Sequence, residues 1–153
     1  MRLAGASPST ALAVNMHQIW MGVARYVHGG GDHSVDFVFE DAAAGEIFAF
    51  GVSEPANDLV LFGSVTDAAP RPDGGYAYTG TKIFTTLSPA WTRLGIFGKT
   101  PDGSELIYAV LDRADGNTES DGSHWDMLGM RATHSFVTHL NGAVVPADRI
   151  IRR

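Results

Sequence analysis

Residues 75–86 read GYAYTGTKIFTT, an aromatic and β-branched run opened by glycine and closed by threonines, the composition of a strand rather than a helix. Alternation along such a strand places Phe84 and Thr86 on one face. Reading outward, the same texture recurs at Glu46–Val52, Val60–Thr66, Arg93–Lys99, Glu105–Leu111 and Ser135–Leu140, each run bounded by Gly, Pro, Asp or Asn. Short runs with regular punctuation predict an all-β sandwich or barrel. Pro101-Asp102-Gly103 predicts a hairpin turn, Asn141-Gly142 reads as a type I′ turn, and tight turns between neighbouring strands predict antiparallel pairing.

Upstream the texture changes. Leu12, Met16, Ile19, Val23 and Val27 recur every three or four residues, which predicts a helix over residues 9–28 with Ser9 or Thr10 as its cap. Gly29, Gly30 and Gly31 end it, and Val35, Phe37, Val38 and Phe39 fit either a short helix or a buried strand, of which the helix, finishing near Gly45, is favoured. The fold class is therefore α+β: a short N-terminal helical segment, residues 1–45, followed by an antiparallel β-domain, residues 46–153.

The chain has 153 residues, 44% of them hydrophobic and 18% charged, enough for a core and unlike a disordered chain. A net charge of −6 without a Lys/Arg cluster argues against a nucleic-acid partner. Cysteine is absent, which excludes disulfides, thiolate nucleophiles and Cys-ligated metals and fits a cytoplasmic location. Pro8, Ser9, Thr10, Asn15, His17 and Gln18 interrupt the N-terminal apolar residues, so neither a secretory signal nor a membrane span is expected. No GxxxxGK[ST], HExxH, GxSxG or GxGxxG motif occurs. His28 with His33, and His134 with His139, lack the i, i+4 spacing of a helical metal site, so no metal is expected. Asp112, Asp115 and Glu119 read as a solvated acidic stretch, and no residue emerges as a catalytic acid or base.

Three segments carry a resemblance. Phe50-Gly51-Val52-Ser53-Glu54-Pro55 is similar to an aromatic-x-x-(Thr/Ser)-Glu-Pro motif. Gly75-Tyr76 through Gly80-Thr81-Lys82-Ile83-Phe84-Thr85-Thr86 is similar to Gly-Tyr…Gly-x-Lys-x-(Trp/Phe)-x-(Thr/Ser). Trp125-Asp126-Met127-Leu128-Gly129-Met130-Arg131-Ala132-Thr133-His134-Ser135, with Val145-Pro146 beyond, is similar to the end of a middle domain. In this order they resemble the acyl-CoA dehydrogenase family.

The resemblance implies a flavin-cradling antiparallel β-barrel preceded by the end of a helical domain, with FAD as cofactor. It implies that Phe50, Val52 and Ser53 line one side of the ring, Val52 and Ser53 bonding its pyrimidine edge, while Phe84 and Thr86 cover the other, Thr86 near the redox-active nitrogen. Taken without the resemblance, Phe84 and Val52 read rather as barrel core. It further implies α,β-dehydrogenation of an acyl-CoA thioester, with the catalytic base on a C-terminal helical domain that this sequence does not contain. A second copy or a partner chain is expected to complete the enzyme, the chain by itself being inactive. The family usually follows Glu-Pro with small residues ending in Ser-Asp, whose serine helps hold the cofactor or CoA. Here Ala56-Asn57-Asp58 stands instead, with Asn57 as a substitute substrate contact. Flavin monooxygenases of the same superfamily carry a similar Leu-Gly-Met-Arg-Ala-Thr segment, and a non-catalytic binding module is the third alternative.

Overall fold

A computed structural model describes residues 2–152. Helix α1 (Arg2–Ala6) leads into α2 (Pro8–Gly29). Ser7, not Ser9 or Thr10, caps α2: its hydroxyl accepts from Thr10 N at 3.3 Å, and Pro8 takes the first position, where its missing N–H costs nothing. The face of α2 that packs inward also differs from the predicted stripe. Ala13, Trp20, Ala24 and Val27 are buried, while Leu12, Met16 and Ile19 are half-buried and Val23 is exposed. Small residues let the helix approach the sheet closely, and Trp20 anchors it, donating from Nε1 to Ala49 O at 2.9 Å. The short second helix, α3 (Phe37–Ala43), forms as expected.

Strands β1 (Phe48–Phe50), β2 (Asp67–Pro70), β3 (Tyr76–Thr85), β4 (Arg93–Lys99), β5 (Leu106–Asp112), β6 (Thr118–Asp121), β7 (Phe136–Val145) and β8 (Ile150–Arg152) build one sheet in the order β6-β7-β3-β2-β4-β5-β8, with β1 also on β4. Most pairs are antiparallel, as expected, but β1 and β2 each run parallel to β4. Among the described residues no ladder joins β6 to β8, so the expected barrel is an open sheet curled over one core. Tyr78 on β3 reaches across it to Ile107 O on β5 at 3.2 Å. Tyr78, Trp91, Leu94, Leu111, Leu140 and Val145 fill that core, and a second cluster around Trp20, Val38, Phe48 and Val110 seats the helices.

Three strand expectations change. Val60–Thr66 is not a strand: Val60–Phe62 is a 3-10 turn. The N–H groups of Val65 and Thr66 go to the Glu54 carboxylate at 3.0 and 3.1 Å, so a ladder cannot use them. Strand β2 forms just after, from Asp, Ala and Pro residues of poor strand propensity, because β3 supplies its partners. Asn141-Gly142 is not a hairpin turn either. It lies inside β7, where Thr79 pairs Asn141 and Tyr78 pairs Ala143, leaving Gly142 at φ +74° as the extra residue of a bulge. Gly103, at φ +72°, does turn the β4–β5 hairpin as predicted.

Candidate functional site

The first and second motifs meet side by side. Ile83 N donates to Ser53 O at 2.8 Å, and beneath them Lys82 Nζ reaches Glu54 Oε1 at 2.6 Å, both side chains fully buried. Glu54 also receives Ser64 Oγ and Asn57 Nδ2, each at 2.7 Å, besides the two N–H groups already named. Burial pushes the Glu54 carboxyl upward, yet these donors outweigh it and hold the pKa at about 2. Burial also presses Lys82 downward against the pull of Glu54. The carboxylate, with five described donors, is the better-satisfied member. Glu54 is thus a structural anion rather than a base.

The anchored strand then breaks its own regularity. Lys82 pairs Thr138 and Thr85 pairs Phe136, so β3 spends one residue more than β7 and bulges at Ile83–Phe84. Phe84 takes φ +57°, a left-handed conformation uncommon for an aromatic residue, and the residue is 56% exposed. The expectation that Phe84 and Thr86 share one strand face is therefore corrected: the bulge cancels alternation, and β3 ends at Thr85. Thr86 turns inward. Its Oγ1 meets Ser135 Oγ at 2.7 Å, in a buried hydroxyl chain that runs on to Thr133 Oγ1 at 2.8 Å and Met130 O at 2.9 Å.

Phe84 instead faces Trp125 edge-on, ring centroids 6.4 Å apart, across a 160 Å³ cleft that Met127, Phe136 and Val137 also line. Asp121 and His124 stand on the same cleft, and the N–H of Ser123 lowers the Asp121 carboxyl. Phe50 and Val52 line a different, more apolar cleft of 290 Å³, with Trp20, Ile96 and Tyr108. Ser53 is exposed between the two. Asn57 is engaged within its own loop: Nδ2 also donates to Gly63 O at 2.8 Å, and Oδ1 accepts from Leu59 N at 3.1 Å. Trp125 and Phe136 were missed as site residues. Trp125 stood in the third motif, but nothing local tied it to Phe84.

The fold and these surfaces combine a curled sheet backed by helices with an aromatic ring held outward beside an ion-pair anchor. No protein-family profile matches the chain. It is 31% identical to a dibenzothiophene monooxygenase of Mycolicibacterium goodii over 65% of this chain and 24% of that one. It is 27% identical to a putative acyl-CoA dehydrogenase, YdbM, of Bacillus subtilis over 98% of this chain and 39% of that one. The solved KijD3, in complex with FMN and a dTDP-linked amino-keto sugar, superposes with a TM-score of 0.82 at 25% identity, over 99% of this chain and 38% of that one. The chain is a relative of the acyl-CoA dehydrogenase family, whose fold also serves flavin monooxygenases. It spans between about a quarter and two-fifths of the length of these curated relatives. No described helix is long and apolar enough to cross a membrane.

Proposed function

We propose that the chain is the flavin-cradling part of a flavin-dependent oxidoreductase. The observation that carries this reading is Phe84, held outward at a left-handed φ by a strand bulge and facing Trp125. A large apolar ring exposed at the expense of backbone strain serves no packing purpose, and it suits a flat heteroaromatic ligand. Phe84 offers a stacking face and exposed Ser53 lies one hydrogen bond away through Ile83, whereas Val52 stands on the neighbouring cleft and Thr86 supports the strand end from within. Bound flavin supplies two-electron chemistry, as hydride acceptor or, when reduced, in oxygenation. The chain's own part is to bind and orient the ring, with Lys82–Glu54 fixing one wall against the other.

Within that class the reading is monooxygenation with reduced flavin and dioxygen. Ala56-Asn57-Asp58 lacks the serine that serves cofactor or CoA in the dehydrogenases, and Asn57 bonds inward to Glu54 and Gly63. KijD3, which shares the fold, is solved with FMN, and this favours FMN over FAD. The second reading, FAD-dependent α,β-dehydrogenation of an acyl-CoA in fatty acid metabolism, keeps the same cradle. In both, a second copy or partner chain completes the site in a cytoplasmic enzyme.

Titration of FMN and FAD with the full chain, followed by flavin fluorescence, tests the cradle. Phe84→Ala is expected to weaken binding roughly three- to tenfold, the worth of one aromatic contact. Absence of flavin binding, even with a candidate partner chain supplied, would leave the non-catalytic module standing. Oxygen incorporation into product with reduced FMN separates the two chemistries from acyl-CoA oxidation linked to an electron-acceptor dye.

A further inference from the structure

Outside the flavin cradle, the turn between α2 and α3 gathers three metal-ligating side chains from the sequence HGGGDHSVD, residues 28–36. His28 Nδ1 lies 2.7 Å from Asp36 Oδ1, and His33 Nδ1 lies 2.9 Å from Asp36 Oδ2. The two imidazoles stand edge to face with centroids 4.7 Å apart, and the ligand atoms of all three residues fall within 4.8 Å of one another. The spacing of five between the histidines had counted against a metal because no helix carries it. The glycine turn, with Gly31 at φ +85°, supplies by tertiary geometry what helical periodicity does not.

The behaviour of Asp36 is the second observation. It occupies the N-cap position of α3, where a carboxylate ordinarily accepts from the first turn, yet its side chain makes no capping hydrogen bond. Both oxygens point at imidazole nitrogens instead, so this carboxylate serves the histidine pair in preference to its helix. We infer that His28, His33 and Asp36 form a two-histidine, one-carboxylate site for a divalent transition-metal ion of the zinc class. Zn–N and Zn–O bonds are about 2.0–2.2 Å long, and such bonds to atoms 2.7 and 2.9 Å apart enclose about 80–90° at the metal, an attainable angle. The ion takes the Nδ1 positions that now face Asp36, and each neutral imidazole carries its proton on Nε2 instead. Imidazole with carboxylate suits zinc, nickel or copper better than calcium or magnesium, and the exposed side chains leave outer positions to water. The ion would staple the end of α2 to the start of α3 across three glycines, where the backbone has most freedom to lose.

Calorimetric titration of the chelator-treated full chain with Zn²⁺ is expected to show a single site. His28→Ala, His33→Ala and Asp36→Asn should each weaken it more than roughly tenfold, the loss that even an outer-shell partner produces. Circular dichroism checks that each variant is folded. In the unsubstituted chain, Co²⁺ should selectively broaden the imidazole NMR signals of His28 and His33. Zn²⁺ affinity no tighter than millimolar, affinity unchanged in the His28→Ala/His33→Ala double variant, or broadening centred on His17, His124, His134 or His139 would overturn the site. None of these readouts depends on flavin.

Discussion

Glu54 and Lys82 show how much one residue pair can organise. Their charges are out of water, joined at 2.6 Å, and each side chain belongs to one of the two segments that frame the candidate cradle. Removing one partner leaves a buried charge alone, so Glu54→Gln and Lys82→Met should each destabilise the fold by about 3–5 kcal/mol in denaturant unfolding. Replacing both at once with apolar residues should cost clearly less than the sum, because no charge is then left unpaired. The Glu54 carboxyl, at about 2 when folded against 4.5 for the free group, adds stability that is fully present above pH ~4.5 and lost as pH falls toward 2. Acid titration of unfolding free energy should show this loss in the parent chain and lack it in Glu54→Gln. Motif reading placed Glu54 in the Glu-Pro motif. Its role as acceptor for Ser64, Val65 and Thr66 depends on a loop that folds back, and no local pattern announces that.

At the scale of elements, the helices hold to the sheet through a few sharp contacts. A Cβ at Gly95 of β4 would sit 1.6 Å from the Trp20 ring, so this glycine exists for close approach and not for a turn. Gly95→Ala should push α2 outward and cost about 1–3 kcal/mol or more, with hydrogen exchange accelerating in α2 before β4 and β5. A second tie is Asp41 of α3, which accepts from Arg93 Nε at 2.8 Å and from Arg149. Burial raises the Asp41 carboxyl, but the two guanidinium groups hold it below its usual value. Strands β4 and β5 were legible because β-branched and aromatic residues flank a Pro-Asp-Gly turn. Strands β2 and β6 were not, since Asp67–Pro70 and Thr118–Asp121 become strands only because β3 and β7 offer free edges.

For the whole molecule, the distribution of apolar surface matters most. Phe62 and Leu128 are 89% and 94% exposed, and Tyr26, Leu59 and Leu61 add to the apolar surface. Such surface favours covering by another chain. Sedimentation velocity should show concentration-dependent self-association of the purified chain, reduced in a Phe62→Ser/Leu128→Ser variant that keeps its circular dichroism spectrum. A monomer at every concentration would overturn self-association as what covers this apolar surface.

Sequence by itself determined the α+β order, the strands β3, β4 and β5, the first half of β7, the short helix α3 and the three motifs, because propensity, turn chemistry and motif spacing are local. Tertiary structure alone decided which face of α2 is buried, that the sheet stays open, and that Gly142 and Phe84 sit at bulges. It alone joined Lys82 to Glu54, Phe84 to Trp125 and Asp36 to two histidines. These outcomes depend on partners distant in the chain or brought together by a turn, and pairing of that kind is settled by packing and hydrogen-bond satisfaction in three dimensions.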